Sequence, residues 1–236
     1  MLFDPREGAV VKVTDVDIKN LIDNLSSFTG WTGLLYLADA GAATYNADGT
    51  VKSAGAAATV TLNGITYSTT KRAFRILNAW ALPSSGLTIV SENPVYIQGN
   101  FNTSSTSTAV IPSNNGTYTS PVASGYSARA ATNTTINAAL VAGNVPSNGS
   151  RYSGGGENFI RLLEDWKVGS FCHYGSVAQL FASNQAIGAW NGDGNNYKSP
   201  LTYRLYYDDA LFSTASPPGN LQIAAYLQQQ RWYQVY

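Results

Sequence analysis

The chain has 236 residues, and its 14 basic and 14 acidic side chains cancel to a formal net charge of zero. Charged residues make up 12% of the chain, about half the usual share of ~25%, which excludes the clustered Lys and Arg of a nucleic-acid groove. A chain of this length forms one domain with a sizeable core. Small polar residues, 15 Tyr and 5 Trp replace the missing charge, a composition that favours an extracytoplasmic β-protein over a cytosolic α/β enzyme.

Cysteine usage and hydropathy exclude further classes. Cys172 is the only cysteine, so neither an intramolecular disulfide nor a cysteine-based zinc site can form. No run approaches the ~18 apolar residues of a membrane span, and residues 1–6 lack the apolar segment of a signal peptide. We predict no metal and no cofactor, and we expect a fragment of an exported parent that has lost its targeting segment.

Residues 1–30 predict a strand and a helix that cap one end of a β-core. Residues 9–14 predict the strand, and Asp15 or Asp17 can cap a short helix after it. The helix carries four apolar residues at helical spacing, namely Ile18, Leu21, Ile22 and Leu25. Because so short a helix is marginal alone in water, we expect its apolar face to pack on the β-core.

Short strands and turns are predicted from residue 31 to residue 77. Residues 31–38 form a candidate strand, and Asn46 to Gly49 marks a turn. Apolar side chains then alternate over residues 60–67, and residues 74–77 form a further apolar strand.

Residues 86–102 contain the most informative pattern in the chain. Two apolar strands are joined by a polar corner that runs from Ser91 to Pro94. A tight hairpin favours Asn-Gly or Asp-Gly at positive φ, whereas a proline at the first position of a strand suits a corner between strands. The pattern therefore predicts successive sides of one coil. We predict a mainly β fold of the β-helix class, with stacked short strands and one or two short α-helices.

The second half of the single domain, predicted to span residues 1–236, combines coils, a helix and a flap. Residues 102–134 are rich in Thr, Ser, Asn and Gly, which predicts a flexible surface excursion. Residues 134–146 predict a further β-coil with inward residues at Ile136, Ala138 or Ala139, Val141 and Val145.

Three more elements are predicted toward the carboxy terminus. Apolar residues at helical spacing over residues 157–166 predict a second helix. Residues 168–182, with apolar Val177 and Leu180, predict another strand pair. Residues 197–236 are crowded with aromatic side chains and turn residues, which predicts an aromatic-rich flap packed outside the β-core.

No motif-defined enzyme class is present, because the chain lacks the nucleophile elbow, the HExxH pair, the Walker loop and the dinucleotide fingerprint. Cys172 and His173 are neighbours on a predicted strand, so their side chains face opposite ways and do not form a dyad. Residues 191–196 offer alternating oxygen ligands but fail the EF-hand pattern, which favours a Gly/Asn turn.

Paired carboxylates are the best catalytic candidates, because glycoside hydrolysis needs two of them facing each other across roughly 5 to 9.5 Å. The candidates are Glu157, Glu164, Asp165, Asp208 and Asp209. Solvated positions on the predicted helix are the alternative for Glu164 and Asp165. Exposed aromatic side chains can stack on sugar rings, and the candidate binding residues are Trp190, Tyr197, Tyr203 and Trp232.

Several segments resemble the carboxy-terminal region of PilX-like pilus-assembly accessory proteins of the bacterial envelope. The segments include Phe3-Asp-Pro-Arg-Glu-Gly8, the residue 86–102 coil and Tyr152-Ser-Gly-Gly-Gly-Glu-Asn-Phe-Ile-Arg-Leu-Leu-Glu-Asp-Trp166. The resemblance implies a β-helical, bactofilin-like domain displayed beyond the cytoplasmic membrane, in a parent anchored by a prepilin-type amino-terminal helix. Residues 102–134 depart from the family pattern, and the resemblance implies no catalytic residues.

Two functions remain open at this stage. The first is a non-enzymatic surface domain that acts in pilus-type or other extracytoplasmic assembly, with other envelope proteins or a second copy as partners. The second is a carbohydrate-active enzyme, or a glycan-binding module, that uses the carboxylates and aromatics named above. Neither function involves nucleic acid or a membrane span in this chain.

Overall fold

The computed structural model describes residues 1–4, 7–48, 50–62, 65–103, 131–149, 152–153, 160–164, 166–188 and 202–206. Strands hold 45% of these residues and helices 8%, which confirms the mainly β fold class. The elements in chain order are β1 (Leu2–Asp4), β2 (Ala9–Asp17), α1 (Ile18–Asp23), β3 (Leu34–Leu37), β4 (Thr44–Tyr45), β5 (Val51–Ser53), β6 (Ala58–Leu62), β7 (Ile65–Thr69), β8 (Arg72–Leu77), β9 (Thr88–Ser91), β10 (Val95–Ile97), β11 (Thr134–Asn137), β12 (Leu140–Asn144), β13 (Ser170–Tyr174), β14 (Val177–Ala182) and β15 (Thr202–Tyr206).

Parallel pairing dominates the described sheets. One sheet has the order β1-β2-β8-β10, in which only the β1–β2 pair is antiparallel. A second sheet has the all-parallel order β11-β13-β15, and the pairs β3–β9 and β12–β14 are also parallel. The pairs β4–β5 and β6–β7 are antiparallel hairpins. A parallel bridge between Phe101 and Ile136 connects the segment after β10 to β11.

The corner at Ser91 to Pro94 is confirmed. Strands β9 and β10 flank it and do not pair with each other, because β9 pairs with β3 and β10 pairs with β8. The Pro94 carbonyl accepts a hydrogen bond of 3.0 Å from the Phe74 amide. The side chain of buried Asn93 accepts another of 3.1 Å from the Asp39 amide. Hydrogen bonds to neighbouring segments therefore fix the corner.

Helix α1 forms where the sequence predicts it, and Asp17 is the capping residue. Its Oδ1 accepts a hydrogen bond of 2.9 Å from the Asn20 amide, which satisfies one of the unpaired amides of the first turn. Asp15 instead forms a two-bonded ion pair with Arg75, with both N–O distances at 2.8 Å. Ile18 is fully buried in the main apolar cluster, which confirms the expected packing of the helix on the β-core.

The main apolar cluster includes side chains that the parallel register brings together. Val16 of β2 and Ile97 of β10 both lie opposite buried Ile76 of β8. Trp166, in the 3-10 helix Trp166–Val168, packs edge-to-face on Phe171 with ring centroids 5.6 Å apart. A smaller cluster contains Leu2, Val11 and Ala73. The core that the described residues form therefore combines parallel strands with α1, the 3-10 helix and connecting segments.

The helix predicted over residues 157–166 is wrong for its described part, because residues 160–164 contain no helical residue. Leu162 belongs to the main cluster, whereas Leu163 packs against the smaller one. A segment without regular structure that crosses between two clusters can bury both residues. The apolar residues of this segment therefore have the spacing of a helix although residues 160–164 do not form one.

The inward position predicted for Val141 is also wrong. This side chain is 61% exposed, and the apolar residues Val177 and Leu180 of β14 are exposed as well. The alternation of a strand assigns residues to two faces but does not identify the inner face. The predicted strands themselves are confirmed as β11, β12, β13 and β14.

Two further predictions fall largely on residues that the structure does not describe. Residues 104–130 contain most of the predicted excursion, and the predicted flap has only residues 202–206 within the described part. Those five residues form β15, which pairs in parallel with β13. The boundaries of the single predicted domain stay a prediction.

Candidate functional site

The predicted hydrolase carboxylates are not brought together among the described residues. Glu164 is partly buried in the segment 160–164. Glu157, Asp165, Asp208 and Asp209 lie outside the described residues. Because residues 160–164 are not helical, the spacing that would place Glu157 and Glu164 on one helix face does not apply.

The predicted glycan-binding aromatics have one member with a described backbone. Tyr203 lies in β15, where it pairs with Phe171 of β13. Trp190, Tyr197 and Trp232 lie outside the described residues, as does the 191–196 turn. Their part in binding therefore stays a prediction.

A buried ionic cluster, named here the N-terminal clasp, joins the start of the chain to later segments. It consists of Asp4, Glu7, Lys71, Tyr96 and Arg161. Asp4 is fully buried, and the Glu7 side chain is 3% exposed. Carboxylates at this depth need ionic or hydrogen-bonding partners, because burial without them is costly.

Arg161 is the centre of the clasp. Its Nη1 donates a hydrogen bond to Glu7 Oε1 and lies 3.7 Å from Asp4 Oδ2. Its Nη2 donates to the carbonyls of Ala186 and Gly188. The planar guanidinium has five N–H donors, so one side chain can hold several segments at once.

The other members of the clasp satisfy the remaining carboxylate oxygens. Lys71 Nζ lies 2.9 Å from Glu7 Oε2, and the Gly188 amide donates to Glu7 Oε1 at 2.7 Å. The Tyr96 hydroxyl donates to Asp4 Oδ2 at 3.0 Å. Lys71 directly precedes β8, and Tyr96 lies in β10. The parallel pairing of these strands therefore places both donors near the N terminus.

The clasp keeps Glu7 ionised. Burial alone raises the pKa of Glu7, but hydrogen bonds from Lys71 and Arg161 outweigh burial, and the pKa is lowered overall. Burial also raises the pKa of Tyr96 well above its ordinary value, and the neighbouring Asp4 carboxylate adds to that effect. The hydroxyl of Tyr96 therefore stays protonated and continues to donate.

This arrangement differs from the acid-base pair of a glycosidase. Such a pair needs one carboxyl group with a raised pKa as the acid and an open space between the two groups. Asp4 and Glu7 both approach the same guanidinium, and Glu7 has a lowered pKa. The clasp therefore serves to hold segments together.

A second polar cluster fixes the loop after β3. Buried Arg72 donates from Nη2 to the Ala56 carbonyl at 2.6 Å and lies 3.8 Å from Asp39. Lys12 Nζ is 4.0 Å from the same carboxylate. Asp39 in turn accepts the Gly41 amide at 2.8 Å. These contacts hold the loop against β8, so this cluster is also structural.

His173 is buried and bonded to the backbone. Its Nε2 lies 2.9 Å from the Ala138 carbonyl oxygen, and because that oxygen can only accept, Nε2 carries the proton. Cys172 is a free, partly buried thiol. No cysteine-histidine contact is present among the described residues, as the alternation of side chains along β13 predicts.

The described residues contain no metal cluster, and they form a depression beside α1. No group of three or more His, Cys, Asp and Glu side chains is placed to hold a metal ion in the described ranges. Helix α1 borders a shallow depression of about 510 Å³ that is lined by Asp17, Asn20, Leu21, Asn24 and Phe28. In the described part of the chain, no helix is long and apolar enough to span a bilayer.

The distribution of charged residues along the sequence indicates the clasp, whereas their total number does not. Glu7 and Arg161 belong to residues 3–8 and 152–166, two segments that each contain acidic and basic side chains in a chain that is poor in charge. Their contact joins these two elements in space. No family model, curated protein or solved structure matches this chain.

Proposed function

We propose that this chain is a β-helical, non-enzymatic domain of a bacterial envelope or surface protein, and that it acts in pilus-type or other extracytoplasmic assembly. The proposal combines the resemblance to PilX-like proteins with the parallel strand pairing. Its partners are other envelope proteins or further copies of the same domain.

The observation that carries the proposal is the strand register. β8 lies between β2 and β10 in one parallel series, and β13 lies between β11 and β15 in another. The bridge between Phe101 and Ile136 connects the two series. Successive parallel strands that stack in chain order are what a wound coil requires.

The N-terminal clasp gives separate support. Glu7 and Arg161 lie in two of the segments that carry the family resemblance, and the two side chains form an ion pair. Buried charged residues that connect distant segments of the chain favour a structural role for the domain. The carbohydrate-active alternative stays a prediction, because no contact among the described residues favours it.

The β-helical arrangement can be tested with the native thiol. Thr135 of β11 pairs with Cys172 of β13, and paired positions on neighbouring strands lie within the range that a disulfide can bridge. We expect Thr135→Cys to form an intramolecular disulfide with Cys172 under mild oxidation. Asn133→Cys, which lies outside β11, is the matched control. Equal oxidation rates in both variants would contradict the stacked register.

The location can be tested on cells that produce the native protein. An antibody raised against this chain should label intact cells and should follow surface filaments after mechanical shearing. Labelling that appears only after lysis would contradict an extracytoplasmic location. Labelling that stays on sheared cells would contradict association with a pilus.

A separate measurement tests the proposal that the chain is not an enzyme. We expect no turnover on a panel of polysaccharides and esters. Turnover by the wild-type chain that Glu164→Gln abolishes would contradict the non-enzymatic proposal and would favour the hydrolase.

A further inference from the structure

Strands β13 and β15 carry a stacked pair of tyrosines. Tyr174 pairs with Tyr206 in the parallel register, which runs without a shift from the pair Ser170 and Thr202. The two rings are nearly parallel, with an interplanar angle of 12° and centroids 4.5 Å apart. This separation is close to the spacing of about 4.8 Å between neighbouring strands. Equivalent atoms of the two rings therefore face each other.

Both rings are accessible from solvent. His173, the residue before Tyr174, is buried, so the alternation of the strand turns Tyr174 outward. Tyr174 is 39% exposed and Tyr206 is 38% exposed. Arg204 lies on the same face, and its Nη1 donates a hydrogen bond of 3.4 Å to the Tyr206 hydroxyl. The stacked rings are therefore open to a reagent in solvent.

Exposure alone does not distinguish these two tyrosines. Tyr36 is 56% exposed, but the residue opposite it on β9 is Val90. Tyr174 is exposed and also has a second phenol stacked on it. Because the strands hold the two rings side by side, the effective concentration of one phenol at the other is far above that of a tyrosine on another chain. A reaction between two phenols is therefore favoured at this position.

We propose that Tyr174 and Tyr206 form a site of oxidative modification, at which a haem peroxidase with hydrogen peroxide joins the two rings into an intramolecular dityrosine. The peroxidase removes one electron and one proton from each hydroxyl and reduces one hydrogen peroxide to two waters. The two radicals form a carbon–carbon bond between the Cε atoms beside the hydroxyls. The hydrogen on each of these carbons then moves to oxygen, so both hydroxyls are restored and the chain has lost two hydrogen atoms in all.

The new bond locks β15 onto β13. Before the reaction, β15 is held by backbone hydrogen bonds, among them one of 2.9 Å from the Gly175 amide to the Tyr206 carbonyl. A dityrosine also closes the loop between residues 174 and 206 in the unfolded chain, which lowers the entropy of that state. Cys172 is the only cysteine, so an intramolecular disulfide cannot serve this purpose. The inference goes beyond the proposed function, because it depends on the β13–β15 pair and not on an assembly partner.

Peroxidase treatment of the dilute full-length chain tests the site. All proteins carry Cys172→Ala, because a thiol on the same face as Tyr174 can reduce a radical. We expect dityrosine fluorescence in the monomer, and linked peptides whose mass is two hydrogens below the sum of the two. Tyr174→Phe and Tyr206→Phe keep a stacked ring without the phenol, and each should lower the yield about tenfold or more. Tyr36→Phe and Tyr207→Phe are the matched controls and should leave the yield unchanged.

Each result decides for or against the site or the lock. Equal yields in all variants, linkage at other tyrosines, or linkage between chains only would overturn the site. Urea unfolding tests the lock: the treated chain should unfold at a higher urea concentration than the same chain without peroxide, and Tyr206→Phe should show no such rise. An unchanged or lower midpoint after linkage would overturn the lock.

Discussion

Arg161 forms an ion pair with Glu7, which lies 154 residues earlier in the chain. The same guanidinium approaches Asp4 and two carbonyls near residue 187. One side chain therefore holds the N terminus, the segment 160–164 and the end of the β14 region in contact. Residues 160–164 and 186–188 contain no helix or strand, so strand pairing does not hold these two segments in place.

Replacement of Arg161 by Met should destabilise the fold strongly. The change leaves Asp4 and Glu7 buried without their shared cation, and breaking a buried pair in this way costs about 3 kcal/mol or more. Urea unfolding measures the loss. Lys19→Met is the matched control, since Lys19 and Asp23 are 55% and 53% exposed, and an exposed pair contributes about 0.5 kcal/mol or less. Similar losses in the two variants would show that the clasp contributes little.

Acid should weaken the clasp through Glu7. The folded chain lowers the pKa of Glu7 from 4.5, so the unfolded chain binds more protons at this site as the pH falls. The resulting stabilisation is present above pH 4.5 and is lost as the pH falls through the folded pKa. Urea midpoints between pH 7 and pH 3 measure this loss. We expect Glu7→Gln to be less stable at pH 7 and to lose less on acidification; parallel curves for the two proteins would contradict this.

Gly175→Ala should disrupt the corner between β13 and β14. A Cβ at this position would lie 1.9 Å from the Ala138 carbonyl oxygen, and the residue has a φ of +148°. Both effects are unfavourable, and we expect a loss of about 3 kcal/mol in the free energy of unfolding. Gly149→Ala is the control, because a Cβ there meets nothing within 4 Å. Equal thermal midpoints for both variants would contradict the corner geometry.

His173→Leu should destabilise the fold by about 1 to 3 kcal/mol, because the Ala138 carbonyl loses a buried donor. His173→Gln keeps an N–H donor and should recover part of the loss. Cys172→Ala changes the opposite face of β13 and serves as the control. A larger loss in the Cys172 variant than in His173→Leu would show that His173 is not the buried member of the pair.

Local features of the fold were predictable from the sequence. Asp17 caps α1 because a carboxylate can reach the free amides of the first turn. Pro94 marks a corner because it suits the start of a strand and not a tight hairpin. Both predictions depend on residues within a few positions of each other.

Features that depend on distant residues were not predictable from periodicity. The apolar spacing of residues 157–166 is helical, yet residues 160–164 form no helix, because Leu162 and Leu163 pack into different clusters. The exposed position of Val141 follows from which face of β12 is turned inward, and alternation alone leaves that choice open. The ion pair of Arg161 was not predictable, because its prediction requires knowing which strands are neighbours in the sheet.

The pairing of Lys12 in β2 with Arg72 in β8 has a kinetic consequence. The hairpins β4–β5 and β6–β7 occupy the intervening chain. The β2–β8 pair can therefore form only after a much later part of the chain has been synthesised. Closing such loops costs entropy before any contact compensates for it. Chains with many pairings of this kind fold on the scale of milliseconds to seconds or slower. Refolding of this protein should therefore be slow compared with that of a helical domain of equal size.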